Sequence, residues 1–338
     1  MLLSRFTRLQ FIGVLLLVLV LGACSSSDEN AVTIYSGRSS SLVGPLLEQF
    51  TEDTGIEFEV KYASTAGTVA LLLEEGENSP ADVVFLQDAG ALGALAKSGM
   101  LIDLPVSLLD RVDPKFRSPH GDWVGVSGRA RTVVYNTGTI NPNTDLPASI
   151  LNYTAPEWQG RIGWAPTNGS FQAFVTALRV LEGDASALAW LQGIQANGPV
   201  AYPNNRGIVQ GTASGEVDVG FVNHYYLHAF IAEQGQDFQA RNHYSSGDAG
   251  ALINVAGVGI LRTNTSGDLA NRFVDYLLDE QAQTYFAQKT SEYPLSALVD
   301  PIGEMPTLSS LNPPDIDLGN LDDLRGTLDL MREAGVLP

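Results

Sequence analysis

A chain of 338 residues with one cysteine, four histidines and 19 basic residues against 38 acidic ones has little of what metal, redox or polyanion chemistry usually uses. The lone cysteine rules out an internal disulfide, so the fold must rest on its cores. A net charge of −19 argues against nucleic acid as a partner. G-x-S-x-G, phosphate-cradling P-loop, H-E-x-x-H and G-x-G-x-x-G patterns are all absent, which leaves a hydrolase reading without a constellation to carry it. His120, His224, His228 and His243 are scattered. His224 and His228 have the i,i+4 spacing of a zinc pair, but no cysteine can complete such a set.

What the sequence does have begins with "MLLSRFTRLQFIGVLLLVLVLGAC". Arg5 and Arg8, an apolar run from Phe11 to Leu21 and the small residues before Cys24 form a secretory signal pattern, too short for a comfortable transmembrane helix. The cysteine at its end is that of a bacterial lipoprotein signal over residues 1–23, with Cys24 the lipidated first residue. Residues 24–30, "CSSSDEN", read as a tether. Without residues 1–23, 17 basic residues face 38 acidic ones, for a net charge of −21. No other membrane span and no internal repeat is visible.

From Ala31 the chain alternates. "AVTIYSG", "IEFEVKYAS" and "ADVVFLQ" read as strands, and "LVGPLLEQFTEDTG", "AGTVALLLEEGEN" and "DAGALGALAKSGML" as helices. Strand–helix alternation predicts βαβ units and a mostly parallel sheet, with ligands beyond the carboxyl ends of the strands. Ser36 to Ser39, Gln87 and Asp88 leave those ends. "VSGRARTVVYN" reads as a strand leading out of this first unit, and a second αβ series follows. The length and a hydrophobic content of 44% allow two lobes. The expectation is an α/β fold of the two-lobe periplasmic-binding-protein type (type II). Residues 31–131 and about 255–305 form one lobe, 132–254 and about 306–338 the other, and hinge strands cross near 129–135 and 253–259.

The stretch "VGFVNHYYLHAF" sets Tyr225 beside Tyr226, behind Asn223 and His224, in a segment that otherwise reads as buried. A buried phenol needs a partner, and the residues alone leave two readings open: core aromatics, or ligands to a metal. With an ordinary pKa of about 10, a phenol ligates at neutral pH only an ion acidic enough to displace its proton, such as ferric iron. Neighbours on a helix diverge by about 100°, so sharing one ion requires the pair at a helix start or turn.

Taken with "YSGR", "EEGENSPADVVF", "TAPEWQGRIGWAPTNGSF", "NGPVAYPNN", "SGEVDVGFVNHYY", "GDAGALINVAGVGIL" and "SEYPLSALV", in that order, the chain resembles the bacterial periplasmic ferric-iron-binding proteins of the transferrin-like class. The resemblance implies Tyr225 and Tyr226 as phenolate ligands of Fe(III). It implies Asn168, Gly169 and Ser170 as the loop holding a synergistic anion, phosphate or carbonate, with Asn205 and Asn223 beside it and Arg129 as an anion-binding arginine. The loop stands before a predicted helix, where free amides attract anions. Some members place a histidine where this chain has Ser39, a glutamate where it has Gln87 and a tyrosine where it has Phe171. Ser39 and Gln87 are thus possible metal or cleft residues, and iron on the tyrosines would need water, the anion, a chelator such as citrate or neutral Gln87. Arg38 is expected as a positive charge at the cleft mouth.

The function so implied is non-enzymatic: a monomeric extracytoplasmic lipoprotein that captures ferric iron, bare or as a small chelate, between its lobes and delivers it to an ABC permease and its ATPase. It would touch the membrane only through the anchor, at the periplasmic or cell-surface face. The alternative is a binding protein for an organic or phosphorylated solute of the thiamine or phosphonate type.

Overall fold

In the computed structural model, which describes residues 30–337, the strands and helices alternate as read, but the sheet is mixed rather than mostly parallel, because the long crossing strands pair antiparallel with their neighbours. β1 (Ala31–Ser36), α1 (Ser40–Thr54), β2 (Glu57–Tyr62), α2 (Thr65–Glu75), β3 (Val83–Leu86), α3 (Ala89–Lys97) and the short α4 (Val106–Leu109) come first. β1 pairs in parallel with β2 and β3. α1 buries Val43, Leu46, Leu47 and Phe50 and stops at Gly55, whose φ of 67° is a left-handed conformation that suits glycine. The signal segment, Cys24 and tether residues 25–29 lie outside the described residues.

β4 (Val124–Asn136) is buried along its whole length and belongs to both halves of the sheet. Then come β5 (Ile162–Trp164), α5 (Gly169–Glu182), α6 (Asp184–Ala196), β6 (Val200–Ala201), α7 (Asn205–Ser214), β7 (Val219–Asn223), α8 (Tyr225–Gln234), β8 (Ala240–His243) and β9 (Ile253–Ile260). α9 (Asp268–Leu277), α10 (Glu280–Tyr285), β10 (Tyr293–Pro294) and α11 (Leu324–Glu333) complete the described chain. The strand order is β2-β1-β3-β9-β4-β7-β5-β6, with β8 and β10 also on β4. Val124 to Ala130 pair with β9, and Arg131 to Tyr135 with β7. The changeover between Ala130 and Arg131 is the first crossing, and the bond from Arg131 N–H to Leu252 O, 2.8 Å, marks the second.

One core lies on the first side, where Phe50 meets Phe273 and Tyr276 edge-on with ring centroids 5.2 Å apart; such pairs add about 0.5–1.5 kcal/mol beyond burial. The second side has a core on each sheet face. Successive strand residues alternate between them, so Val133 and Phe221 enter one and Val134 and Val222 the other.

The C-terminal part divides differently from the expected 306–338. Leu308, Leu311, Ile316, Leu318 and Leu321 pack on the first core, and only from α11 onward do Leu330, Met331 and Ala334 join the second. Gly93 lets this strap lie against α3, since a Cβ there would stand 2.1 Å from Gly319 O. The chain therefore crosses a third time near Asp322.

Candidate functional site

Where β4 passes between the lobes it carries Arg129 and Arg131, two residues apart and so on one face of the strand. Both are buried, with relative exposures of 6% and 4%, and both line a cavity of about 570 Å³ between the lobes. Arg129 Nη2 donates to Gln87 O. Arg131 sits opposite Asn223 in the β4–β7 register and donates from Nη2 to Phe221 O (2.8 Å) and from Nη1 to Asn223 Oδ1 (3.4 Å). Its guanidinium lies over the rings of Phe171 and Phe174, 5.6 and 5.2 Å from their centroids. Burial pulls Arg131 down to about 9, against the phenols of Tyr225 and Tyr226, which favour its charged form. It therefore stays charged at neutral pH. The Nε of each arginine has no partner among the described residues. Sequence reasoning found Arg129 and missed Arg131; the signal was the alternation in "GRAR".

β7 ends at Asn223 and α8 begins at Tyr225, which puts the tyrosine pair at a helix start. His224 fixes that start. It donates its amide to Ala130 O (3.0 Å), accepts the Ala130 amide on Nδ1 (3.1 Å) and bonds Ser291 O through Nε2 (2.8 Å). The two bonds assign the ring proton to Nε2. Burial, with His228 adding to it, pulls His224 down to about 3, so the ring is a neutral structural clasp. Both ring nitrogens are engaged, which leaves His224 no lone pair for the zinc pair that its spacing with His228 allowed.

The rings of Tyr225 and Tyr226 lie 4.4 Å apart at 32° and both line the cavity. Burial raises the Tyr225 phenol well above its ordinary value and Tyr226 adds to this, with Arg129 working in the opposite sense. Without a metal the Tyr225 phenol therefore stays protonated.

Facing them is the start of α5. Asn168 caps this helix, its Oδ1 accepting from Ser170 N–H (3.0 Å), Ser170 Oγ (2.6 Å) and Asn205 Nδ2 (3.1 Å). Asn205 is buried behind the loop, and a Cβ on Gly169 would find nothing within 4 Å. Asn168, Gly169, Ser170 and Asn223 line the cavity, and Asn205 holds the loop from behind.

From the first lobe the cavity receives Gln87 and Asp88. Asp88 caps α3 and accepts from Asn254 Nδ2 (2.9 Å), so both its oxygens are engaged by neutral donors. Ser39 is exposed at the cap of α1, its hydroxyl 3.2 Å from that of Ser41, and does not line the cavity. Arg38 is not at the cleft mouth. It is fully buried and pairs with both oxygens of Glu292 (3.1 and 3.0 Å), because a charge taken out of water needs its counter-charge. Burial alone would raise Glu292, but Arg38, Arg129 and the Ser127 hydroxyl hold it below the ordinary carboxylate range.

The cleft thus has two phenols, two positive side chains, an open helix start and, on the first lobe's side, the carboxylates of Asp88 and Asp322. Among the described residues no three His, Cys, Asp or Glu side chains converge as a metal-holding group. A cation here depends on the phenols and on ligands it brings with it.

Comparison with known proteins gives the family and the fold. The family model described as bacterial extracellular solute-binding protein matches residues 46–307. The chain is 33% identical over 309 residues to the major ferric iron-binding protein of Neisseria meningitidis, covering 90% of this chain and 93% of the relative. It is 29% identical to the Fe(3+)-binding periplasmic protein of Serratia marcescens, over 95% of each. Iron-bound HitA from Pseudomonas aeruginosa superposes with a TM-score of 0.80 at 31% identity, over 90% of this chain and 99% of that one. The Trichodesmium protein IdiA (FutA), solved with iron and citrate ligands, gives 0.80 at 25% identity over the same shares.

Proposed function

This chain belongs to the bacterial extracellular solute-binding proteins, and from that premise we propose that it captures ferric iron in the cleft between its lobes and hands it to an ABC importer. It is a binding protein and not an enzyme. The observation that carries the reading is the placement of Tyr225 and Tyr226 at the start of α8, in one cavity with Arg129, Arg131 and the Asn168–Ser170 loop. Ferric iron on two phenolates keeps one positive charge, and the two arginines add two more. Asp88 on the same cavity subtracts one charge and Asp322 is paired with Lys97, so positive charge is left over, and phosphate, carbonate or citrate would balance it. The names of the relatives support iron over a thiamine- or phosphonate-type solute.

The lobes close on the ligand through the crossings at Ala130–Arg131, Leu252–Ile253 and Asp322. Permease and ATPase are the partners, the protein acts as a monomer, and Cys24 anchors it at the extracytoplasmic face. The test is thermal unfolding with added ligand. A ligand that binds only the folded form raises the melting temperature, so ferric citrate should raise it and zinc or ferrous ions should not. An equal response to all three, or none to ferric citrate, overturns the reading.

A further inference from the structure

The cavity is larger and less polar than an iron ion with phosphate or carbonate needs. Beyond the tyrosine and arginine end its wall is α2, which presents Ala66, Val69, Ala70 and Leu73. These positions, i, i+3, i+4 and i+7, form one helix face. α2 starts where Thr65 Oγ1 donates to Gly37 O at the carboxyl edge of the sheet. Leu73 is eight residues further on, about 12 Å along the helix axis. Ala91 and Ala94 of α3 continue this wall, and Leu324 at the start of α11 borders the same space.

Leu73 and Leu324 are 49% and 42% exposed, two of only six large exposed hydrophobic residues among those described. Water-facing leucines from two lobes on one cavity make an apolar subsite. At the other end Arg129 and Arg131 line the cavity with positive charge. Ligand pockets combine a mostly apolar wall with a few placed polar groups, as this one does.

We infer that the cleft takes an anionic ferric chelate whose chelator carries an apolar or aromatic part, with the metal end against Tyr225, Tyr226 and the arginines and the hydrocarbon part along the α2 face. This rests on the proposed iron function and narrows its ligand class. The chelator supplies the metal donors that the first lobe does not, and the α2 face takes its ring out of water.

Equilibrium dialysis with iron and chelator counted separately tests it, comparing ferric citrate, which has no apolar part, with the ferric complex of 2,3-dihydroxybenzoate. Burying one ring predicts that the wild type retains the ring-bearing chelator together with iron, roughly 10- to 100-fold more tightly than the citrate complex. Ala70 is exposed on the cavity wall, so Ala70→Phe fills the subsite without touching a core. It should erase that preference and leave ferric citrate binding within about twofold, the change expected away from the polar end. A melting curve like that of the wild type confirms its fold. Iron retained without the dihydroxybenzoate, equal retention of the two complexes, or an Ala70→Phe variant that keeps the preference would each overturn the inference and leave the iron reading standing. If neither complex is retained by the wild type, the iron reading has failed and the inference with it.

Discussion

His224 bonds the Ser291 carbonyl through Nε2 at 2.8 Å, while its Nδ1 holds the Ala130 amide at the strand crossing. The residue before the tyrosine pair, at the end of β7, is thereby tied to the first lobe's Ala130 and Ser291. His224→Phe keeps a ring but strands these two backbone groups, at roughly 1–3 kcal/mol for each. Urea unfolding should show that loss.

The same residue gives stability a pH dependence. His224 is held down to about 3 in the folded protein against 6.5 as its ordinary value, so the unfolded chain takes up a proton first as pH falls. Its contribution is complete above pH 6.5 and is lost progressively toward about 3, at about 1.4 kcal/mol per pH unit once the unfolded chain is protonated. Glu292, held below its ordinary value, acts in the same direction at lower pH. Urea midpoints between pH 7 and 4.5 should fall for the wild type and fall less for His224→Phe.

Arg38 and Glu292 form a buried pair, so removing one charge costs more than removing both. Glu292→Gln leaves Arg38 charged and uncompensated and should cost about 3–5 kcal/mol. The double variant Arg38→Met with Glu292→Leu should recover a large part of this in denaturant titrations. A double variant as unstable as the sum of the singles would contradict the pairing.

Arg131→Met removes the second guanidinium while keeping the length of the side chain over Phe171 and Phe174. Loss of a charge-assisted contact of about 1.5–3 kcal/mol predicts roughly 10- to 100-fold weaker binding of ferric citrate. Calorimetric titration measures this, and an unchanged affinity would remove Arg131 from the site.

Iron binding itself should weaken in acid. Burial and Tyr226 raise the Tyr225 phenol, so the proton is a strong competitor for that oxygen. Each phenol that gives up a proton to bind adds a tenfold loss per pH unit on acidification, by mass action. Competition titrations between pH 8 and 6 should show that slope, and a flat profile would speak against tyrosinate ligation.

Much of this arrangement was legible in local pattern. The order of strands and helices follows from periodicity. The tyrosine pair needed a helix start, and α8 begins at Tyr225. The "TNGS" loop stands at the start of α5 and lines the cavity. Long-range pairing was not legible. Arg38 finds its counter-charge 254 residues away, so its local sequence could not show that it is neutralised inside rather than exposed at the cleft mouth. Arg131 was legible but passed over: a second arginine two residues along a strand shares the face of the first. The strap from Leu308 to Leu321 carries little periodicity, and what places it on the first core is close approach to α3 at Gly93, a relationship that exists only in three dimensions.

The most direct test is the visible absorption spectrum of the purified protein titrated with ferric citrate, for the wild type beside Tyr225→Phe and Tyr226→Phe. Ferric iron held by both phenols predicts a tyrosinate-to-iron charge-transfer band in the wild type that is diminished or lost in each variant. A wild type that binds without colour, or a band that survives in both variants, would contradict the assignment of this tyrosine pair to iron.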